Sequence, residues 1–174
     1  MPSEQGNSRD KVKRLAVWAL LTSVCLIVGY IESIVNLFFI APGVKLGLAN
    51  SVACALVLKD DVKGAVAVNL SRILISALLF GSPVSLMFAL SGGTVSVTAM
   101  ILLKKCRHLS VLGISGAGGV LHNIAQCAVG IVFIGIGIIY YLPILLLSGV
   151  VCGVAVGFLA KLILKRIEKS GKYV

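Results

Sequence analysis

The chain has 174 residues, of which 59% are hydrophobic and 13% charged, and it carries a net charge of +10. With a mean hydropathy of +1.08 it has more apolar surface than a soluble domain of this size can hide. The composition therefore excludes a soluble globular protein and points to an all-α integral membrane protein. The basic excess does not indicate nucleic acid, because it falls in short clusters between apolar runs, with no aromatic platform or basic amphipathic helix.

Residues 1–14 are polar and basic and read as a cytoplasmic N-terminal segment. The first apolar run, 15–31, is at the short end for a crossing. It is followed by "IESIVNLFF" and no small-residue cleavage site, so it reads as a retained helix and not a signal peptide. After the Pro42-Gly43 break, a second run, 44–58, stops at Lys59-Asp60-Asp61. The third, 62–80, stops at Gly81-Ser82-Pro83, and the fourth, 84–103, at "KKCRH". From 109 to 164 there is almost no charge, too long a stretch for one crossing. It folds back at "GIGIIYYLP", where Tyr140 and Tyr141 suit the interface and Pro143 suits a helix start. A fifth span at 111–134 and a sixth at 142–164 follow, then a basic cytoplasmic tail, 165–174. The expectation is one six-helix membrane domain over 15–164.

Charge placement orients it. Every Lys and Arg except Lys45 and Arg72 lies in 1–14, 59–63, 104–108 or from Lys161 onward, while the connections at 81–83 and 135–141 carry none. By the positive-inside rule both termini are cytoplasmic and the protein is multi-pass in the plasma membrane. The five cysteines (Cys25, Cys54, Cys106, Cys127 and Cys152) form no C-x-x-C pair and imply no disulfide framework. Gly149, Gly153 and Gly157 recur at four-residue spacing, as do Ala19 and Ser23. Such faces serve either close packing within the bundle or docking of another membrane protein.

Polar residues inside spans carry the functional signal, since an ionisable group in hydrocarbon is costly. Arg72 falls near the midplane of the third span, with Asn69 and Ser76 on its face. On the fifth span Ser115, Gly119, His122 and Gln126 form a stripe with Asn123 beside it. The second span offers Gly47, Asn50, Ser51 and Cys54, with Lys45 at its outer start. Ser91 and Thr94 lie in the outer half of the fourth, and Glu32 and Asn36 end the first. Singly, each has a structural reading: Arg72 bonded to carbonyls, His122 and Asn123 joining helices, Lys45 snorkelling to headgroups. Jointly they describe an outward-opening pocket lined by Glu32, Lys45, Asn50, Asn69, Arg72, His122, Asn123 and Gln126. Lys45 in a first helical turn favours an anion there; a Glu32–Lys45 pair would instead leave the pocket neutral.

No catalytic constellation stands out. There is no G-x-x-x-x-G-K-[ST] P-loop, and "GISGAGG" (113–119) lacks the lysine. Asp60-Asp61 has no D-D-x-x-D spacing for magnesium and diphosphate, and His122 has no partner at metal-ligand spacing. No metal or cofactor is expected.

The motifs "PGVKLGLAN" (42–50), "SGGTVS" (91–96), "GISGAGGVLHNIAQ" (113–126) and "YLP" (141–143) resemble a bacterial membrane family. That family is described as heptaprenyl diphosphate synthase component I and also as the Gx transporter family. It is similar in turn to the substrate-binding S components of energy-coupling factor transporters. The resemblance implies an S-component-like bundle of six helices that captures a vitamin- or cofactor-like molecule at the outer face. It also implies partners, namely a membrane scaffold protein and ATPase subunits, with Ala19 and Ser23 on the docking face. Three functions are carried forward: a small-molecule uptake component whose ligand offers an anionic or polar part, an accessory membrane subunit of polyprenyl diphosphate synthesis, and a structural membrane partner.

Overall fold

The computed structural model describes residues 3–34, 47, 49–106 and 108–169. They form helices α1 (Ser3–Ile34), α2 (Asn50–Leu58), α3 (Val62–Phe80), α4 (Pro83–Leu103), α5 (Val111–Ile134) and α6 (Leu142–Lys169), with a short 3₁₀ helix (Ile136–Tyr141) before α6. No strand occurs among the described residues. Local chemistry explains the ends. Asp61 caps α3 by accepting from Gly64 N at 3.1 Å, and Ser110 caps α5 by accepting from Gly113 N at 3.1 Å. Ser82 and Ser85 form a reciprocal capping box at α4, with Pro83 in the first turn. Gly135, at φ 103°, ends α5 in a conformation that only glycine adopts readily.

Among the described residues, five helical stretches are long and apolar enough to cross a bilayer: Ser8–Glu32, Val62–Phe80, Pro83–Leu103, Val111–Ile134 and Ile136–Arg166. The expected span at 44–58 shows nine helical residues, Asn50–Leu58. They cover about 14 Å, half a hydrocarbon core; residues 44–46 and 48 lie outside the described ones. The chain starts helical at Ser3, so α1 begins within the stretch read as a polar N-terminal segment.

The helices α3, α4, α5 and α6 pack as successive neighbours, α1 lies on α3, and α2 sits between α3 and α6 and also touches α4. Ser51, Val52, Ala53, Cys54, Ala55 and Val57 are all buried, so α2 is a central peg enclosed on every side. The main core surrounds it: Val57, Ala65, Val97, Met100, Ile114, Val156 and Ala160. The bundle's outside is apolar, with Leu78, Val132, Leu147 and Phe158 all largely exposed, as a lipid-facing surface requires.

The α5–α6 seam is backbone against backbone. A Cβ at Gly153 would lie 2.6 Å from Ser115 O and 2.8 Å from Gly116 Cα. One at Gly149 would lie 2.8 Å from Gly119 O, and one at Gly157 2.9 Å from Ser115 Cβ. The Gly149, Gly153 and Gly157 stripe therefore serves packing within the bundle. Ala19 and Ser23 are exposed on α1, where the Ser23 hydroxyl donates to Ala19 O at 3.0 Å.

The opposite end of the bundle from the α3–α4 link is held by charge. Lys104 donates to Val57 O (3.0 Å) and Leu58 O (2.9 Å), which closes the C-terminus of α2, and pairs with Asp60 at 2.5 Å. Asp61 accepts from Trp18 Nε1 at 2.8 Å and faces Arg14 at 3.6 Å, so it ties α1 to α3. Both acids of the Asp60-Asp61 pair thus have structural roles.

Candidate binding cavity

A cavity of about 1090 Å³ runs between the helices. It extends from the α3–α4 link (Gly81, Ser82) and the 3₁₀ helix (Ile138, Tyr141) down to Met100, Ser115 and Val156. The volume lies at the upper end of small-molecule sites. Its walls are mostly apolar, with polar groups at a few levels.

The central feature is Arg72 on α3. Its Nη2 donates to Asn50 Oδ1 at 2.8 Å and to Asn69 Oδ1 at 3.1 Å. Asn50 opens α2, and Asn69 lies one turn back on α3, so two neutral amides from different helices fix the guanidinium. Arg72 and Asn50 line the cavity, whereas Asn69 is 2% exposed and stands behind the arginine. Asn69 thus holds Arg72 from behind and is not among the residues that line the cavity. Glu32 also lines the cavity and is near enough to act electrostatically on Arg72.

His122 enters from α5 and lies flat against α4: a Cβ at Gly92 would sit 2.7 Å from Nε2 and 2.8 Å from Cε1. At the next residue, Gly93, a Cβ would sit 3.2 Å from Asn69 Nδ2. The Gly92-Gly93 pair thus lets α4 pass between the Asn69–Arg72 side and the His122 side at one height. Sequence reasoning noted this pair only as part of a motif; its signal was two glycines mid-span, where close approach is the usual cause.

The remaining expected residues divide. Asn123 lines the cavity, but its amide is engaged with Leu145 O (2.6 Å) and Ser148 Oγ (3.3 Å), joining α5 to α6. Gln126 lines it and donates to Phe88 O at 3.4 Å. Ser91 and Thr94 bond backbone carbonyls of their own helix and do not line the cavity. Lys45 and Asn36 lie outside the described residues. Cys25, Cys127 and Cys152 face the cavity. At the floor, Ser115 is 2% exposed and beside Cys54; its hydroxyl makes no well-formed hydrogen bond. No group of three or more His, Cys, Asp or Glu able to hold a metal occurs among the described residues.

Comparison with known proteins places these features in a family. Neither the curated proteins nor the solved structures gave a significant match. The family described as heptaprenyl diphosphate synthase component I matches residues 21–163, a span that runs from α1 to α6 and includes every residue placed around Arg72 and His122. That match covers most of the chain, which belongs to the heptaprenyl diphosphate synthase component I family.

Proposed function

We propose that this protein is the membrane-embedded binding component of a small-molecule uptake system. A vitamin- or cofactor-like ligand enters the cavity from the outer face, and partner ATPases on a membrane scaffold supply the energy. The observation that carries this reading is the cavity of about 1090 Å³ with a held arginine midway along it. A bundle that needed only stability would fill such a space with side chains. On this reading the protein crosses the bilayer six times, and both termini are cytoplasmic. The exposed Ala19–Ser23 face of α1 would meet the scaffold.

A second reading is favoured by the family's description: an accessory subunit of heptaprenyl diphosphate synthesis that holds a prenyl phosphate in the same cavity. Against a catalytic role, Asp60 and Asp61 are engaged by Lys104, Trp18 and Arg14.

Native mass spectrometry of protein purified in mild detergent separates the two. A retained small molecule without a prenyl chain, lost in an Arg72→Ala protein that is still folded and monodisperse, supports uptake. A retained prenyl phosphate, or stimulated chain elongation on adding a prenyl synthase, supports the second reading. Equal retention in wild type and Arg72→Ala refutes a site built on Arg72.

A further inference from the structure

We infer that the cavity is an anion receptor, and that its ligand is an organic molecule whose oxyanion supplies the counter-charge Arg72 lacks. The inference rests on the cavity being a binding site, as proposed above. Arg72 lies ten residues from the start of α3, about 15 Å along the helix and so near mid-bilayer. A cation at that depth is held by pairing or by water. The two amide oxygens that accept from Nη2 satisfy donors without neutralising the charge. They engage one nitrogen only, while Arg72 itself faces the cavity.

The chain contains no second acid to do this work. Its six acidic residues are Glu4, Asp10, Glu32, Asp60, Asp61 and Glu168. Asp60 and Asp61 pair with Lys104 and Arg14 at the far end of the bundle. Glu4 and Asp10 lie within the first three turns of α1 and Glu168 in the last turn of α6, at that same end. Glu32 alone is on the cavity side, where its charge acts on Arg72; no ion pair to Arg72 occurs among the described residues. The segment 35–46 adds Lys45 and no acid, so it cannot provide the missing carboxylate. A carboxylate or phosphate on the ligand would complete the pair, and the apolar walls formed by Phe80, Val84, Phe88, Ile138 and Ile144 would take an apolar body.

The test reads the cavity's charge without knowing the ligand. Ser76 lies one turn beyond Arg72, lines the cavity and bonds only Ile73 O of its own helix, so Ser76→Cys is a conservative reporter. It is placed in a chain whose five cysteines are alanine. Labelling rates are measured with methyl, sulfonatoethyl (anionic) and trimethylammonioethyl (cationic) methanethiosulfonates, each relative to a free thiol in solution. The anion-to-cation ratio cancels any effect on the thiol itself.

The expected ratio is about tenfold above the solution value, the order to which a charged, low-dielectric cleft concentrates a counter-ion. Arg72→Gln should bring the ratio to about one, and Arg72→Lys should keep it. If the neutral reagent labels but the charged pair react alike, the anion inference is overturned while the cavity stands. If even the neutral reagent fails, the binding-site reading falls and takes this inference with it. Running the assay in maltoside detergent and in phosphatidylglycerol nanodiscs separates the sources of the anion. Preference in both media assigns a solute, and preference lost only in nanodiscs assigns a lipid headgroup.

Discussion

The α5–α6 seam allows a prediction in which two neighbouring glycines respond oppositely to the same change. At Gly153 an added Cβ would lie 2.6 Å from Ser115 O, roughly 0.8 Å short of ordinary contact. The next obstacle is Gly116 Cα at 2.8 Å. Both are backbone atoms, so relief requires the helices to part. At Gly116 itself an added Cβ meets only Val154 Cγ2 at 3.7 Å, an ordinary contact. Each Gly→Ala change gains about 1 kcal/mol of helix propensity. Gly153→Ala adds an overpacking cost of about 1–3 kcal/mol that Gly116→Ala does not incur. Since the propensity gain is common to both, the difference between the variants isolates the packing cost, about 1–3 kcal/mol. For a chain of this size that separates the two unfolding midpoints by on the order of 5 °C, with Gly116→Ala the higher. Thermal unfolding in one detergent, scored by fluorescence and by retained monodisperse protein, measures it. Equal midpoints, or a lower one for Gly116→Ala, would refute the view that this seam is set by backbone contact.

Three further expectations follow from the same geometry. Asn50→Ala and Asn69→Ala each remove a hydrogen bond to a charged group and should cost about 1–2 kcal/mol of stability. In an Arg72→Gln background both costs should shrink, and strict additivity in the double-mutant cycle would show that the amides do not act through Arg72. Lys104→Met should cost about 1–2 kcal/mol, because it uncovers the carbonyls of Val57 and Leu58 at the end of α2. Asp60→Asn should cost less than about 1 kcal/mol, since its carboxylate side chain is 86% exposed; the reverse order would make the ion pair the important contact. Gly92→Ala should turn the His122 ring out of place and abolish ligand retention in native spectra while the protein still inserts. Undiminished retention would remove His122 from the site.

Helix ends were legible where local chemistry sets them. Gly81-Ser82-Pro83 announces the α3–α4 link, and in the structure Ser82 forms a capping box with Ser85 while Pro83 sits in the first turn of α4. Ser110 and Gly135 bracket α5 for similarly local reasons. The role of α2 was not legible. An apolar run reads the same whether it faces lipid or other helices, because both surroundings select the same side chains; the structure encloses Asn50–Leu58 as a peg. Glycine spacing on α6 was equally ambiguous between internal packing and docking until α5 was seen against it.

The same division runs through the candidate site. That Arg72, His122, Asn50, Asn69, Asn123 and Gln126 belong to one functional question was set by the sequence alone, since each is costly in a membrane and must find a partner. Which partner each finds was decided by tertiary structure. Asn69 turned inward to hold Arg72, Asn123 crossed to Leu145, and His122 came to rest on Gly92. The one-dimensional pattern carries the cost of desolvating a polar group. The direction in which that cost is relieved depends on which helix backbone comes within about 3 Å, and only the packed bundle determines that.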